Sequence, residues 1–86
     1  MPEDTAIERR RHTVQGLQHQ ALGLRAEAQD DSSRALADRA LATLTEIEPL
    51  LAQETESLEH LRRIDDLTSK ARGEIAAAGK AIAADS

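Results

Sequence analysis

The amino-acid sequence predicts an all-α fold, a helical hairpin or a three-helix bundle with a long amphipathic helix at its C-terminal end. Apolar residues recur at intervals of three, four and seven positions, which is the spacing of one stripe along an α-helix. Alanine, the residue with the highest helix propensity, occupies 16 of the 86 positions. The 33 residues from 50 to 82 contain no proline to interrupt a helix. A chain of this length forms one small domain, which we assign to residues 1–86.

The first predicted helix covers about residues 6–29. Thr5 and Glu8 have the spacing of a capping box, in which the threonine hydroxyl accepts the amide of the third helical residue. Gly16 and Gly23 lie within the helix, where they either weaken it or let a neighbouring backbone approach closely. Apolar residues repeat every seven positions at Ile7, Val14, Ala21 and Ala28.

The second predicted helix covers about residues 34–47 and follows a polar turn at residues 29–33. Asp and Ser side chains compete with the backbone for hydrogen bonds, and Ser32 or Ser33 is well suited to cap the helix. A connection this short favours antiparallel packing of the first two helices. The residues predicted to face inward are Leu36, Ala40, Leu44 and Ile47.

Pro49 leaves two topologies open. As the first residue of a third helix, covering about residues 50–82, it would give a three-helix bundle. Alternatively, the second and third segments form one helix that is kinked at Pro49 and pairs with the first helix as a hairpin. The apolar stripe continues in phase from Leu44 through Leu51 to Leu58, and residues 35–48 contain neither glycine nor asparagine. We therefore favour the kinked helix.

The predicted function is a non-catalytic protein–protein interaction module, such as an assembly adaptor, a chaperone or a structural component. A first helix of about 24 residues spans only about 36 Å, so it leaves part of the long apolar stripe uncovered. We expect that stripe to bind a protein partner, a second copy of the chain, or both. Polar residues on or beside it, Thr43, Glu54, Asp65 and Thr68, are expected to determine register and partner choice. The residues of the predicted partner-binding seam are Leu51, Leu58, Leu61, Ile64, Ile75 and Ile82.

An alternative function is a ligand- or metal-binding helical bundle whose site forms between subunits. His12 and His19 lie seven positions apart, and Glu56 or His60 could complete a metal site from another helix. Histidines on a polar helix face explain the same spacing without a ligand. We therefore assign no metal, cofactor-binding or catalytic residue, and we do not expect an enzyme, because a seam of aliphatic side chains lacks the walled, partly dry pocket of acid–base catalysis.

Composition and charge argue against several other classes. The formal net charge of −5 disfavours nucleic-acid binding, although Arg9, Arg10 and Arg11 are adjacent. The chain lacks cysteine, which excludes a disulfide framework and a thiolate zinc site. No apolar run approaches the ~18 residues of a membrane span, and the acidic N-terminus lacks the apolar stretch of a secretory signal, so we expect a cytoplasmic protein. Nine arginines against two lysines are typical of a GC-rich, bacterial genome.

Overall fold

A computed structural model describes residues 5–53, 55 and 57–84, and within them the chain forms three α-helices and no strand. The helices are α1 (Ala6–Glu27), α2 (Asp31–Ala52) and α3 (Leu58–Ala84). They pack side by side into a bundle that measures 44 × 27 × 16 Å. The all-α prediction is confirmed, and the structure has the three-helix arrangement.

Side-chain oxygens cap the first two helices. At α1, the Thr5 hydroxyl accepts the amide of Glu8 at 3.1 Å, so the predicted cap is confirmed. At α2, the cap is Asp30 rather than Ser32 or Ser33, and its Oδ1 accepts the amide of Ser33 at 2.7 Å. A carboxylate is the stronger acceptor there because its charge also interacts favourably with the positive end of the helix dipole. The second helix consequently begins three residues earlier than the sequence predicts.

The chain reverses between α2 and α3 at residues 53–57, beyond Pro49. Neither predicted topology placed the reversal there: Pro49 lies inside α2, which continues to Ala52, and the single helix predicted over residues 50–82 is wrong. The Ser57 hydroxyl accepts the amide of His60 at 3.3 Å, as a capping residue at the start of α3 does. The reversal lets the apolar stripes of α2 and α3 cover each other, whereas a continuous helix would leave part of that apolar surface in water.

Pro49 is tolerated inside α2 because this part of the helix surface faces solvent. Proline has no amide hydrogen, so the carbonyl of Thr45, one turn earlier, loses its helical partner. Both Pro49 and Thr45 are exposed, which leaves that carbonyl accessible to water. The apolar stripe of α2 therefore stays in phase across the proline.

Neighbouring helices in the bundle run up, down and up. α1 and α2 are antiparallel, because the residue numbers of bonded partners rise along one helix as they fall along the other, and the same holds for α2 and α3. α1 and α3 are therefore parallel. The bonded pairs are Gln18–Glu48 and Arg25–Asp38 for α1 with α2, Thr43–Glu74 and Leu50–His60 for α2 with α3, and Arg10–Asp65 for α1 with α3.

The core lies along the bundle axis and consists of aliphatic and alanine side chains from all three helices. The seven-residue repeat predicted for α1 is confirmed as its buried face. In α2, Leu36 is only half-buried, and Ala37 is fully buried beside it. The large buried side chains that α2 and α3 contribute are Leu44, Ile47, Leu51, Ile64 and Ile75.

Candidate protein-docking surface

The structure divides the predicted partner-binding seam between the core and the surface. Leu51, Ile64 and Ile75 are buried within the chain itself, at 5%, 0% and 4% exposure. Leu61 and Ile82 are half-buried, and Leu58 is 83% exposed at the first turn of α3. The six residues therefore do not form one continuous surface. Three of them already have their partners inside the bundle.

The excess of apolar surface that the sequence predicted for one long helix is mostly removed by the reversal at residues 53–57. α3 is covered by both α1 and α2, since each of the three helix pairs is in contact. Leu58 and Leu22, at 83% and 53% exposure, are the two large apolar side chains that remain exposed in the described part of the chain. They lie on different helices, and single exposed leucines are ordinary on protein surfaces. The other candidate surfaces are the grooves between the helices.

The groove between α1 and α3 is closed by an ion pair. Arg10 donates from Nε and Nη2 to the two carboxylate oxygens of Asp65, at 2.8 and 2.9 Å. This hydrogen bonding, against a smaller opposing effect of burial, raises the pKa of Arg10 above its ordinary value. Asp65, which was predicted to help select a partner, is thus occupied within the chain. The open space left beside the pair is about 250 Å³.

The groove between α1 and α2 is also bridged by side chains. Three bonds cross it at different heights, and the space that remains open is about 290 Å³. Each bond uses a polar group that would otherwise be available to a partner, including a free carbonyl in the last turn of α2. The bridging pairs are Arg11 Nη2 to Leu51 O at 3.0 Å, Gln18 Nε2 to Glu48 Oε1 at 2.8 Å, and Arg25 Nε to Asp38 Oδ1 at 2.6 Å.

The groove between α2 and α3 is bridged at two points. Towards one end, the buried Thr43 hydroxyl donates to Glu74 Oε1 at 2.5 Å. Towards the other end, His60 Nε2 lies 2.6 Å from the carbonyl oxygen of Leu50; since a carbonyl only accepts, this nitrogen carries the proton. Thr43, one of the predicted polar positions, therefore forms its interhelical hydrogen bond within the chain.

Between these two bridges lies an open groove of about 590 Å³, larger than either of the other two. We call it the docking groove. Its apolar lining residues, which we call the floor, are Pro49, Leu50 and Leu67; Pro49 is exposed and the two leucines are half-buried. Its rim is formed by Glu46, Arg63 and Asp66.

The charges of the rim have no ion-pair partners in the described part of the chain. Glu46, Arg63 and Asp66 are all exposed, and none of them belongs to the ion pairs or side-chain hydrogen bonds of the bundle. In the other two grooves Arg10 and Arg25 are paired with carboxylates, although Arg72 beside the first pair also has no ion-pair partner among the described residues. The docking groove thus combines partly exposed apolar area with unpaired charges of both signs.

Leu50 and Leu67 fall in the apolar stretch predicted over residues 50–82, whereas the sequence pattern did not indicate the rim. Glu46 and Arg63 are 17 positions apart, and they become neighbours only because the chain reverses after Ala52. A sequence signal existed in the polar run at residues 53–57, where serine and threonine favour a helix boundary. The continuing phase of the apolar stripe favoured one kinked helix instead.

The histidines considered for a metal site are dispersed over the bundle. His12 and His19 are exposed on α1, His60 is bonded to the α2 backbone, and Glu56 lies outside the described residues. Among the described residues, no three His, Cys, Asp or Glu side chains converge on one point as metal ligands would. A metal site between subunits stays a prediction, and stoichiometric zinc or iron in the purified protein is the result that would support it.

Comparisons with protein-family models, with curated proteins and with solved structures found no match for this chain. None of α1, α2 and α3, as far as their residues are described, is both long enough and apolar enough to cross a membrane. The functional interpretation therefore rests on the bundle and its surface.

Proposed function

We propose that this protein is a non-catalytic protein–protein interaction module that binds its partner in the docking groove between α2 and α3. The observation that carries the proposal is the contrast among the three interhelical grooves formed by the described residues. The α1–α3 groove is crossed by an ion pair and the α1–α2 groove by three side-chain bonds. The docking groove lies between the two bridges of α2 and α3, and it keeps half-buried leucines and three unpaired charges. Roles of this kind include an assembly adaptor, a chaperone and a structural component.

The shape of the docking groove suits a helix or an extended segment with apolar anchors. Leu50 and Leu67 offer partly exposed apolar area from two adjacent helices, and burial of apolar area is the main favourable term in most protein association. A helix presents anchors at spacings of three and four residues, which fit a groove between two other helices. The charged rim would then orient the partner more than it would add affinity.

A non-catalytic role is supported by the openness of the surface. The grooves formed by described residues are open to solvent, and their carboxylates lie at rims rather than in enclosed cavities. Acid–base catalysis depends on positioned groups in a partly dry site, where burial changes their pKa. Binding needs only complementary surfaces.

Site-specific photo-crosslinking in the native host would test the proposal. Leu67, on the floor of the docking groove, is replaced by p-benzoylphenylalanine, and the matched control carries the same residue in place of Leu22 on α1. We expect a discrete protein adduct from position 67 and none of the same mass from position 22. Circular dichroism would first establish that both variants are as helical as the unmodified protein. Absence of any adduct at position 67, or the same adduct from both positions, would contradict the proposal.

A further inference from the structure

We infer that the docking groove is occupied by the docking groove of a second copy of this chain. The inference rests on the proposed function and goes further by naming the partner. The observations behind it are the charges of both signs on the rim and the half-buried leucines on the floor.

The rim carries both signs of charge within one short stretch of two helices. Glu46 on α2 and Asp66 on α3 are acidic, and Arg63 on α3 is basic. A uniformly basic partner would meet Arg63, and a uniformly acidic partner would meet both carboxylates. Like charges that are brought together at an interface are costly. The rim therefore selects a partner surface that is itself of mixed sign.

A second copy supplies such a surface by construction. In a two-fold symmetric interface the same patch lies on both sides, and a residue that contacts a second residue is matched by the reciprocal contact. A two-fold axis through the docking groove would bring Arg63 of each copy to the carboxylates of the other. Each copy would then bury Leu50 and Leu67 against their counterparts.

The limited core of the single chain gives this association a thermodynamic reason. The sequence has no aromatic residue, and 16 of its 34 apolar residues are alanines, which bury little area each. Cores of chains only slightly smaller than this one supply limited stability, and association is a common way to add buried apolar area. Half-buried leucines on the floor of the groove provide that area.

Variants with charge-reversed rims test the inference, because only self-association through the rim predicts that each variant is weakened alone and recovers when the two are mixed. The acidic-rim variant carries Arg63→Glu, and the basic-rim variant carries Glu46→Lys with Asp66→Lys. We expect sedimentation velocity at low salt to show a monomer–dimer equilibrium for the unmodified chain. Each variant alone should dimerise with a dissociation constant raised about tenfold or more, because its rim repels its own copy. An equimolar mixture of the two variants should recover dimers at least as tight as those of the unmodified chain.

A matched control separates the rim from overall charge. Arg62 is exposed on α3, next to Arg63 in sequence but outside the groove, so Arg62→Glu changes net charge by the same amount as Arg63→Glu. We expect Arg62→Glu to leave the dissociation constant within about twofold of the unmodified value, since exposed charges outside an interface contribute little. Circular dichroism and urea unfolding should show all variants folded, since none of the changed residues has an ion-pair partner among the residues that the structure describes.

Several outcomes would overturn the inference. The first is an unmodified chain that stays monomeric up to about 1 mM, where even a weak complex is populated. The second is a dimer that Arg63→Glu and Arg62→Glu weaken equally, and the third is a variant mixture that does not associate. In each case a protein adduct of different mass from position 67 would leave the proposed function standing with another partner. If neither an adduct from position 67 nor a dimer is found, both the inference and the proposed function are contradicted.

Discussion

The α2–α3 pair and α1 are stabilised in different ways. α2 and α3 bury large aliphatic side chains against each other, with Leu44, Ile47 and Ile64 at 0% exposure. α1 buries Ile7, Val14 and alanines, and its Leu17 and Leu24 are only partly buried against the same core. Its remaining connections to the bundle are polar bonds near the surface. We infer that α2–α3 is the stable part of the molecule and that α1 is held to it more weakly, because burial of apolar area outweighs exposed ion pairs.

Truncation of Ile64 should give the largest loss of stability. Ile64→Ala removes three carbons from a fully buried position, and we expect a loss of about 2–5 kcal/mol in the free energy of unfolding. Val14→Ala on α1 removes two carbons and should cost less, on the order of 1.5–3 kcal/mol. Urea unfolding monitored by circular dichroism measures both. An equal or larger loss for Val14→Ala would show that α1 contributes as much as α2–α3.

Removal of the Thr43 hydroxyl should cause the next-largest loss in the free energy of unfolding. Thr43→Val keeps the shape of the side chain but takes the hydrogen bond from the half-buried Glu74, and we expect a loss of about 1–3 kcal/mol. The matched control is Thr45→Val on the same helix, where the exposed hydroxyl bonds only to the backbone oxygen of Leu41. That change should be close to neutral. Similar losses for the two variants in urea unfolding would contradict a specific role of the Thr43–Glu74 bond.

Replacement of the α1 glycines by alanine should raise the free energy of unfolding, whereas the preceding substitutions lower it. No atom lies within 4 Å of a Cβ built on Gly16 or Gly23, so within the described chain these glycines weaken α1 rather than admit a neighbouring backbone. We expect Gly16→Ala and Gly23→Ala each to raise the free energy of unfolding by about 0.5–1 kcal/mol. Thermal unfolding of the single and double variants checks this. A loss of stability, or a weakened dimer, would mean that a partner backbone lies against this face.

The ion pair between α1 and α3 should have the smallest effect. Asp65→Asn removes a carboxylate that is about half exposed, and we expect a loss of at most about 1 kcal/mol, which shrinks in high salt. The raised pKa of Arg10 means that its contribution is fully present below the alkaline pKa of a free guanidinium and is lost only above the folded value. Between pH 5 and 8, Arg10 therefore adds no pH dependence. Unfolding of the unmodified protein and Asp65→Asn at low and high salt tests this, and a salt-independent loss of several kcal/mol would be inconsistent with an exposed pair.

Local signals in the sequence were sufficient to predict those features of a helix that depend on its own residues. Thr5 and the seven-residue repeat from Ile7 to Ala28 established the start and the buried face of α1, because capping and periodicity depend on residues within a few turns. The predicted caps of α2, Ser32 or Ser33, lie two or three residues after the observed cap, Asp30. Adjacent residues in that turn are all capable of capping, and only the backbone geometry distinguishes them.

Composition and periodicity were enough to predict that this protein is all-α, that its apolar residues form helical stripes, and that its core is small and free of aromatic side chains. Three features are visible only in the folded bundle: the place where the chain reverses, the seam residues that are buried within the chain, and the common groove of Glu46, Arg63 and Asp66. The physical reason is that periodicity reports which face of a helix is apolar, but not which surface covers that face. A stripe that stays in phase from Leu44 to Leu61 is equally compatible with one long helix and with two helices folded against each other. Burial across the reversal favours the second.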